Sequence, residues 1–130
     1  MLYLDSTALV KLAITEPESG GLLRWLGEHP NLVRVSSELT RVEVVRTIWR
    51  AQPTALPEGY LVTRRIVSIE LSDEVLRRAS AVRPPWLASS HAVQIASALT
   101  IRQELTAFVA YDKRLLAAAK EAGLPVASPA

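Results

Sequence analysis

Residues 107–125 read AFVAYDKRLLAAAKEAGLP and describe one strand–helix unit of an α/β fold. The apolar run Ala107 to Ala110 predicts a short buried strand, and the stretch Lys113 to Ala122 has the period of a helix. Gly123 ends that helix in the usual C-terminal manner. Asp112 lies between the two elements, so the sequence places a carboxylate at the carboxyl end of a strand.

The same strand-then-helix pattern recurs along the chain, which predicts a parallel sheet flanked by helices in a single domain spanning residues 1–130. Hydrophobic residues make up 49% of the sequence and charged residues 22%, as in ordinary globular proteins. The sheet should contain about five short strands. The predicted strands are Leu2 to Leu4, Val33 to Val35, Val67 to Leu71, Ala107 to Ala110 and Val126 to Ala127.

Capping residues, prolines and apolar spacing set the helix boundaries. The predicted helices are Thr7 to Ile14, Ser19 to Glu28, one capped by Ser36 or Ser37 and reaching Ala51, one capped by Asp73 and reaching Val82, one from Ser89 or Ser90 to Glu104, and Lys113 to Ala122. Residues 52–58 should form a loop because they contain two prolines, and a short helix should follow through Arg65. In the third helix Leu39, Val42, Val45 and Trp49 share one face, which we expect to face the core.

Composition excludes several classes of protein. The chain has no cysteine, so disulfides, thiolate metal sites and cysteine nucleophiles are absent. Its apolar runs fall short of the roughly 20 residues that a membrane span needs, and its N-terminus lacks the features of a signal peptide. We therefore expect a cytoplasmic protein with no membrane segment. Its 15 basic and 13 acidic residues barely favour nucleic acid as a partner.

Two acids follow two of the predicted strands. Asp5 comes directly after Leu2 to Leu4, and Asp112 follows Ala107 to Ala110 after one residue. In an open parallel sheet, ligands bind beyond the carboxyl ends of strands where the strand order reverses. If these strands are neighbours there, the carboxylates meet and favour Mg²⁺ or Mn²⁺. Each aspartate is equally well explained as a helix N-cap, and the two roles are compatible.

Glu43 is a third acid of interest, inside the helix that ends near Ala51. It lies beside an apolar face, where a carboxylate usually needs a partner. An ion pair with Arg46, three residues later, is the simpler explanation and would contribute only a few tenths of a kcal/mol, roughly, if exposed. The residues alone favour that pair.

Four segments together resemble the PIN domain, especially the VapC-type toxin ribonucleases. They are LYLDSTALVKL (2–12), LTRVEVVR (39–46), ASSHAVQIASAL (88–99) and FVAYDKRLLAAAKEAGLPVASP (108–129). The resemblance runs nearly end to end. It implies that Asp5, Glu43 and Asp112 bind the metal and act in catalysis, and that the chain is an endoribonuclease. It also implies a VapB-type antitoxin partner and a homodimer.

The chain departs from the family pattern at the fourth metal position. The helix start that usually reads as an aspartate followed three residues later by histidine reads here as His91 and Gln94. A neutral imidazole ligates Mn²⁺ but suits Mg²⁺ poorly, so metal binding should weaken or change preference, and a single ion is favoured. The alternatives are that His91 is simply exposed or hydrogen-bonded, and that the chain is a catalytically impaired module that binds antitoxin or RNA.

Hydroxyl and basic side chains complete the predicted site. The family often keeps a hydroxyl after the first acid, which here is Ser6 or Thr7, although either could instead cap the helix. Several cations near the predicted crevice could contact RNA phosphates or simply be solvated. They are Lys11, Arg41, Arg46, Lys113 and Arg114. Trp25, Trp49 and Trp86 lack the interleaved basic residues of a single-strand stacking surface, and Trp49 is predicted to lie in the core.

Overall fold

A computed structural model describes all residues, 1–130. Its centre is a five-stranded, fully parallel sheet with the strand order β3-β2-β1-β4-β5. The strands are β1 (Leu2–Leu4), β2 (Arg34–Ser37), β3 (Val67–Ile69), β4 (Ala107–Val109) and β5 (Val126–Ala127). The predicted α/β class and parallel sheet are confirmed.

Seven helices flank the sheet. They are α1 (Ser6–Ala13), α2 (Ser19–Gly27), α3 (Glu38–Ala51), α4 (Leu56–Arg64), α5 (Asp73–Ser80), α6 (Ser89–Leu99) and α7 (Lys113–Glu121). Short 3₁₀ turns occupy Pro53–Ala55 and Arg102–Glu104. None of the helices is long and apolar enough to cross a membrane.

The alternation of side chains along β1 divides the core into two layers. Leu2 and Leu4 point to one face, where they pack with residues of α1, α2 and α3. Tyr3 points to the other face, where it packs with residues of α6 and α7. There its ring stacks on that of Phe108, its register partner in β4, with the ring centroids 5.0 Å apart. The buried β1–β4 pair therefore forms the centre of the molecule.

Strand β2 begins and ends later than the predicted Val33 to Val35. Val33 is 49% exposed, whereas Ser36 and Ser37 are buried within the strand. The Ser36 hydroxyl donates to Thr40 Oγ1 at 2.7 Å, and Ser37 caps α3 by accepting from the Leu39 amide. These hydrogen bonds let polar residues occupy a buried strand end that an apolar pattern does not reveal.

The loop predicted for residues 52–58 is wrong, because a 3₁₀ turn and the start of α4 lie there. Pro53 begins the turn and Pro57 is the second residue of α4. Proline is tolerated at these first positions because the N–H it lacks would have no partner inside the helix.

Two later helices also end or begin differently from the prediction. Ser72, not Asp73, caps α5, since its hydroxyl accepts from the Val75 amide at 3.2 Å, and the helix stops at Ser80. Helix α6 begins at Ser89 as predicted but ends at Leu99, so it does not reach Glu104.

Helix α3 presents a different face to the core from the one predicted. The buried residues are Thr40, Val44 and Ile48, while Val42 is 56% exposed and Trp49 60% exposed. Thr40 can face the interior because its hydroxyl is hydrogen-bonded to buried polar groups. Of the predicted stripe, Val42 and Trp49 therefore point outward, whereas Leu39 and Val45 are half-buried.

Candidate active site at the carboxyl ends of β1 and β4

Strands β1 and β4 are neighbours at the point where the strand order reverses. The chain runs outward from β1 to β2 and β3, then returns to place β4 on the other side of β1. The Asp5 amide donates to the Val109 carbonyl at 3.0 Å, which ties the two strand ends together. This confirms the arrangement on which the predicted crevice depends.

Asp5 is a buried carboxyl, only 1% exposed, beyond the end of β1. Its Oδ1 accepts from the Ala8 amide at 2.9 Å and so caps α1, which is the role that the sequence offered as an alternative. Burial raises the pKa of Asp5 to about 7, the nearby charge of Glu43 adds to that rise, and the hydrogen bonds from Thr7 and Ala8 oppose it. The Asp5 carboxyl is therefore held in a fixed position, but its ionisation is energetically costly. A nearby cation would lower this cost.

The hydroxyl of Thr7 links the two strand ends through side-chain bonds. It donates to Asp5 Oδ1 at 2.6 Å and accepts from the Tyr111 amide at 3.0 Å. Ser6 is the first residue of α1 and makes no comparable side-chain bond, and Asp5, not Ser6 or Thr7, is the cap. Thr7 thus supports the acidic site, whereas Ser6 does not touch it.

Glu43 lies on α3, half-buried, and its Oε1 accepts from Gln94 Nε2 at 2.6 Å. The ion pair with Arg46 that the residues alone favoured is absent. Burial raises the pKa of Glu43, while the Gln94 hydrogen bond and the charge of His91 lower it. Glu43 therefore interacts electrostatically with Asp5 on one side and His91 on the other.

Gln94 is a site residue whose role the sequence pattern does not reveal. It is 1% exposed, and its amide bonds three neighbours at once. Nε2 donates to Glu43 and also to Thr40 Oγ1 at 2.9 Å, while Oε1 accepts from the buried Tyr3 hydroxyl. The two ends of the amide are thus fixed, so Nε2 must point at Glu43. The signals in the sequence are a lone amide within the apolar stretch AVQIASA of α6 and its place where the family pattern usually has a histidine.

His91 and Asp112 are the other two residues that the sequence predicts as metal ligands. His91 is the third residue of α6 and is half-buried, and Asp112 caps α7 by accepting from the Leu115 amide at 2.9 Å. Both line one large groove along α5, α6 and α7, whereas Asp5 and Glu43 do not line it. No three carboxylate or imidazole groups lie close enough together to form a ready-made cage for one ion.

The basic residues predicted to contact RNA divide into two kinds. Lys11 is held by Glu16 at 3.1 Å and Glu18 at 3.3 Å, with its ammonium 4.5 Å from the centre of the Tyr111 ring. It is therefore engaged within the protein. The others are exposed and have no acidic partner within ion-pair distance, namely Arg41, Arg46, Lys113 and Arg114.

Comparison with known proteins gives full-length relatives. Ribonuclease VapC47 of Mycobacterium tuberculosis (strain CDC 1551 / Oshkosh) is 37% identical over 132 aligned positions, covering 99% of this chain and 97% of that protein. Ribonuclease VapC35 of the same strain is 40% identical with the same coverage. Ribonuclease VapC46 of M. tuberculosis (strain ATCC 25618 / H37Rv) is 36% identical over 129 positions, covering 98% of this chain and 97% of that protein. No family model matches the chain.

The chain belongs to the VapC-type PIN-domain ribonuclease family. This membership confirms the resemblance carried by the four sequence segments. Two residues of α6 act on Glu43 in this site: the charge of His91 lowers the pKa of Glu43, and Gln94 donates a hydrogen bond to it.

Proposed function

We propose that this chain is a divalent-metal-dependent endoribonuclease and the toxin of a VapBC-type toxin–antitoxin pair, hydrolysing phosphodiester bonds of RNA. The observation that carries the proposal is the buried Asp5 carboxyl at the β1–β4 switch point, with Glu43 oriented beside it by Gln94. Full-length relatives that are named ribonucleases support the reaction class.

The residues at this edge fit a divalent cation by their chemistry. Asp5 and Glu43 both have pKa values raised by burial, and no lysine or arginine forms an ion pair with either. A cation would compensate both carboxylates at once, and carboxylate oxygens suit Mg²⁺ or Mn²⁺. We propose Asp5, Glu43 and Asp112 as the metal-holding residues, with His91 as a fourth ligand. Metal binding would have to draw these side chains together, since no three of them lie close enough in this structure.

Each side chain has a separate task in this proposal. Asp5 is held rigid by its cap and by Thr7, Glu43 is aimed by Gln94, and Asp112 approaches from β4. A bound divalent ion supplies Lewis acidity that activates water and offsets the charge developing on the phosphate. Because His91 offers nitrogen where the family usually has carboxylate, we propose a single ion and a preference for Mn²⁺ over Mg²⁺.

The test is a cleavage assay of the purified chain on unstructured and hairpin RNA with Mn²⁺ or Mg²⁺. Asp5→Asn and Glu43→Gln should each reduce cleavage roughly 100-fold or more, because each removes a charge needed to hold the ion. Glu28→Gln, which changes an exposed carboxylate at the end of α2, is the matched control and should cleave normally. Cleavage that survives Asp5→Asn would overturn the acidic mechanism.

His91→Asp separates the proposal from an impaired module that only binds antitoxin or RNA. If the native chain cuts RNA in Mn²⁺ and His91→Asp mainly improves cleavage in Mg²⁺, His91 tunes metal preference. If only His91→Asp cuts RNA with either metal, the native chain is the impaired module.

We further propose that the whole chain, residues 1–130, acts as one cytoplasmic PIN-like domain that forms a homodimer and is silenced by a VapB-type antitoxin. The outer faces of α3 and α4 support a protein partner. They expose large apolar side chains, including Val42 at 56%, Trp49 at 60%, Tyr60 at 51% and Leu61 at 45%. Exposed apolar surface of this kind marks protein contacts, and we assign this face to the antitoxin.

A further inference from the structure

A large groove lies along α5, α6 and α7, beside the candidate site. It has a volume of about 1750 Å³, and one end is bordered by His91 and Asp112. Pockets for small molecules are typically about 300–1,000 Å³. The groove is therefore larger than a typical small-molecule pocket and has room for a segment of a polymer.

Trp86 stands in this groove, on the segment that joins α5 to α6. The Leu87 amide donates to the Pro84 carbonyl at 2.9 Å, which closes a turn with Pro85 and Trp86 at its central positions. Trp86 is 84% exposed, more than any other large apolar residue of the chain. An indole in this position contributes little to the core, and two prolines restrict the segment that holds it.

Cations from two different elements line the same groove. Arg83 precedes the turn, and Lys113 and Arg114 open α7 next to Asp112. All three are exposed and have no acidic partner within ion-pair distance. The only carboxylates lining the groove are Asp112, at the site itself, and Glu121. Arg83 lies only three residues before Trp86, but Lys113 and Arg114 come 27 and 28 residues after it, so the fold brings these two cations to the same groove.

We propose that this groove binds the single-stranded RNA substrate beside the cleavage site, with an unpaired base stacked on Trp86 and phosphates contacting Arg83 and Arg114. The proposal deepens the proposed function and rests on it. An exposed aromatic ring stacks any base, and paired cations follow the backbone, which is the chemistry of single-strand recognition. The site would favour RNA whose bases next to the cut are unpaired.

The test measures binding separately from cleavage. A fluorescein-labelled 12-nucleotide RNA without secondary structure is titrated with the full chain in EDTA, and binding is followed by anisotropy. Trp86→Ala should weaken binding about 5- to 30-fold, whereas Trp86→Phe, which keeps a ring, should stay within about 3-fold of the native chain. Leu23→Ala is the control, because Leu23 is an exposed apolar side chain that lies outside both the groove and the face assigned to the antitoxin, and it should bind normally.

Two further measurements complete the test: the salt dependence of RNA binding and the oligomeric state of the variant. Arg83→Ala and Arg114→Ala should each reduce the slope of log affinity against log salt by about 0.7. Unchanged RNA affinity in Trp86→Ala would overturn the proposal. A change in the sedimenting mass of Trp86→Ala would also overturn it, since the groove would then be a contact between protein chains. The two proposals can fail separately. The acidic mechanism fails if Asp5→Asn still cleaves RNA, whereas the groove proposal fails on RNA affinity, which is measured without a divalent ion.

Discussion

In our proposal Asp5 has both a structural and a functional role, and the two roles affect the stability of the fold in opposite directions. As an N-cap it stabilises α1 by about 1 kcal/mol. As a buried carboxylate it is costly to ionise, which is why its pKa is about 7. Residues that are held in place at a cost to stability are typical of functional sites.

This conflict predicts how stability depends on pH without a divalent ion. Between about pH 4 and pH 7 the folded chain keeps a proton on Asp5 that the unfolded chain has released, so the free energy of unfolding falls as pH rises and levels off above pH 7. Asp5→Asn keeps the cap without the charge. It should be more stable than the native chain by about 2–4 kcal/mol at pH 8, and the gain should disappear near pH 4.

Urea unfolding in EDTA at several pH values measures this difference directly. Adding Mn²⁺ should raise the stability of the native chain but not that of Asp5→Asn. If Asp5→Asn proves less stable than the native chain at pH 8, the buried-charge account of Asp5 is wrong.

Gln94 offers a second test at the same scale. Gln94→Leu removes the donor to Glu43 and leaves the Tyr3 hydroxyl buried without that acceptor. We expect a loss of about 1–3 kcal/mol in stability and a 10- to 100-fold loss, roughly, in Mn²⁺ affinity, which titration calorimetry can measure. Gln94→His can restore a donor towards Glu43 and should recover part of the metal affinity. Metal affinity unchanged in Gln94→Leu would show that Gln94 does not position Glu43.

The sequence identifies some residues of the candidate site and not others, for a physical reason. Asp5 and Asp112 can be identified because strand ends are visible as short apolar runs followed by an acid. Glu43 is supported only by family resemblance, because its partner Gln94 is 51 positions away. Contacts between distant elements leave no local pattern.

Among the elements, α2 and α7 contain or adjoin glycines with contrasting roles. Gly123 follows α7 with a φ of +86°, and a Cβ there would come within 2.7 Å of the Arg102 guanidinium. Gly20 lies in the first turn of α2, where a Cβ would meet no other atom within 4 Å. The first glycine is required by the backbone, and the second is not.

Alanine substitutions should therefore have opposite effects. Gly123→Ala should destabilise the fold by about 1–2 kcal/mol, because alanine is strained at positive φ. Gly20→Ala should stabilise it by about 0.5–1 kcal/mol, because alanine restricts the unfolded chain and favours helix. Thermal unfolding of both variants decides the matter, and a destabilised Gly20→Ala would contradict the packing described for α2.

Helix α3 shows where element-level prediction stops. Its helical period is evident in the sequence, but the stripe predicted to face the core is the wrong one, since Thr40, Val44 and Ile48 are the residues that face it. Helical periodicity identifies an apolar face of a helix, but it does not show whether the protein core or a partner protein covers that face. The exposed stripe with Val42 and Trp49 is the one that we assign to the antitoxin.

At the scale of the whole molecule, that assignment predicts a separation of functions. Trp49→Glu should still arrest growth when expressed, because Trp49 lies outside the RNA groove and the acidic site. Relief of the arrest by coexpressing the proposed VapB-type antitoxin should be lost, because a charge is placed in an apolar contact. Relief that is equal for the native chain and for Trp49→Glu would place the antitoxin elsewhere.

The overall architecture is the most predictable level. Short apolar runs alternating with helical periods define a parallel sheet, and the sheet order then places Asp5 and Asp112 on adjacent strand ends. The groove cannot be predicted in this way, because Trp86 and Arg114 come to line the same groove only through the packing of helices that are distant in the sequence.

The most direct test of the central claim is to locate the metal. Crystals of the native chain soaked in MnCl₂ and measured at the manganese absorption edge should show one anomalous peak beyond the ends of β1 and β4, in contact with Asp5, Glu43 and Asp112 and with His91 as the nitrogen ligand. Asp5→Asn crystals should lose the peak. No peak at this edge, from a preparation that cleaves RNA in Mn²⁺, would contradict the account.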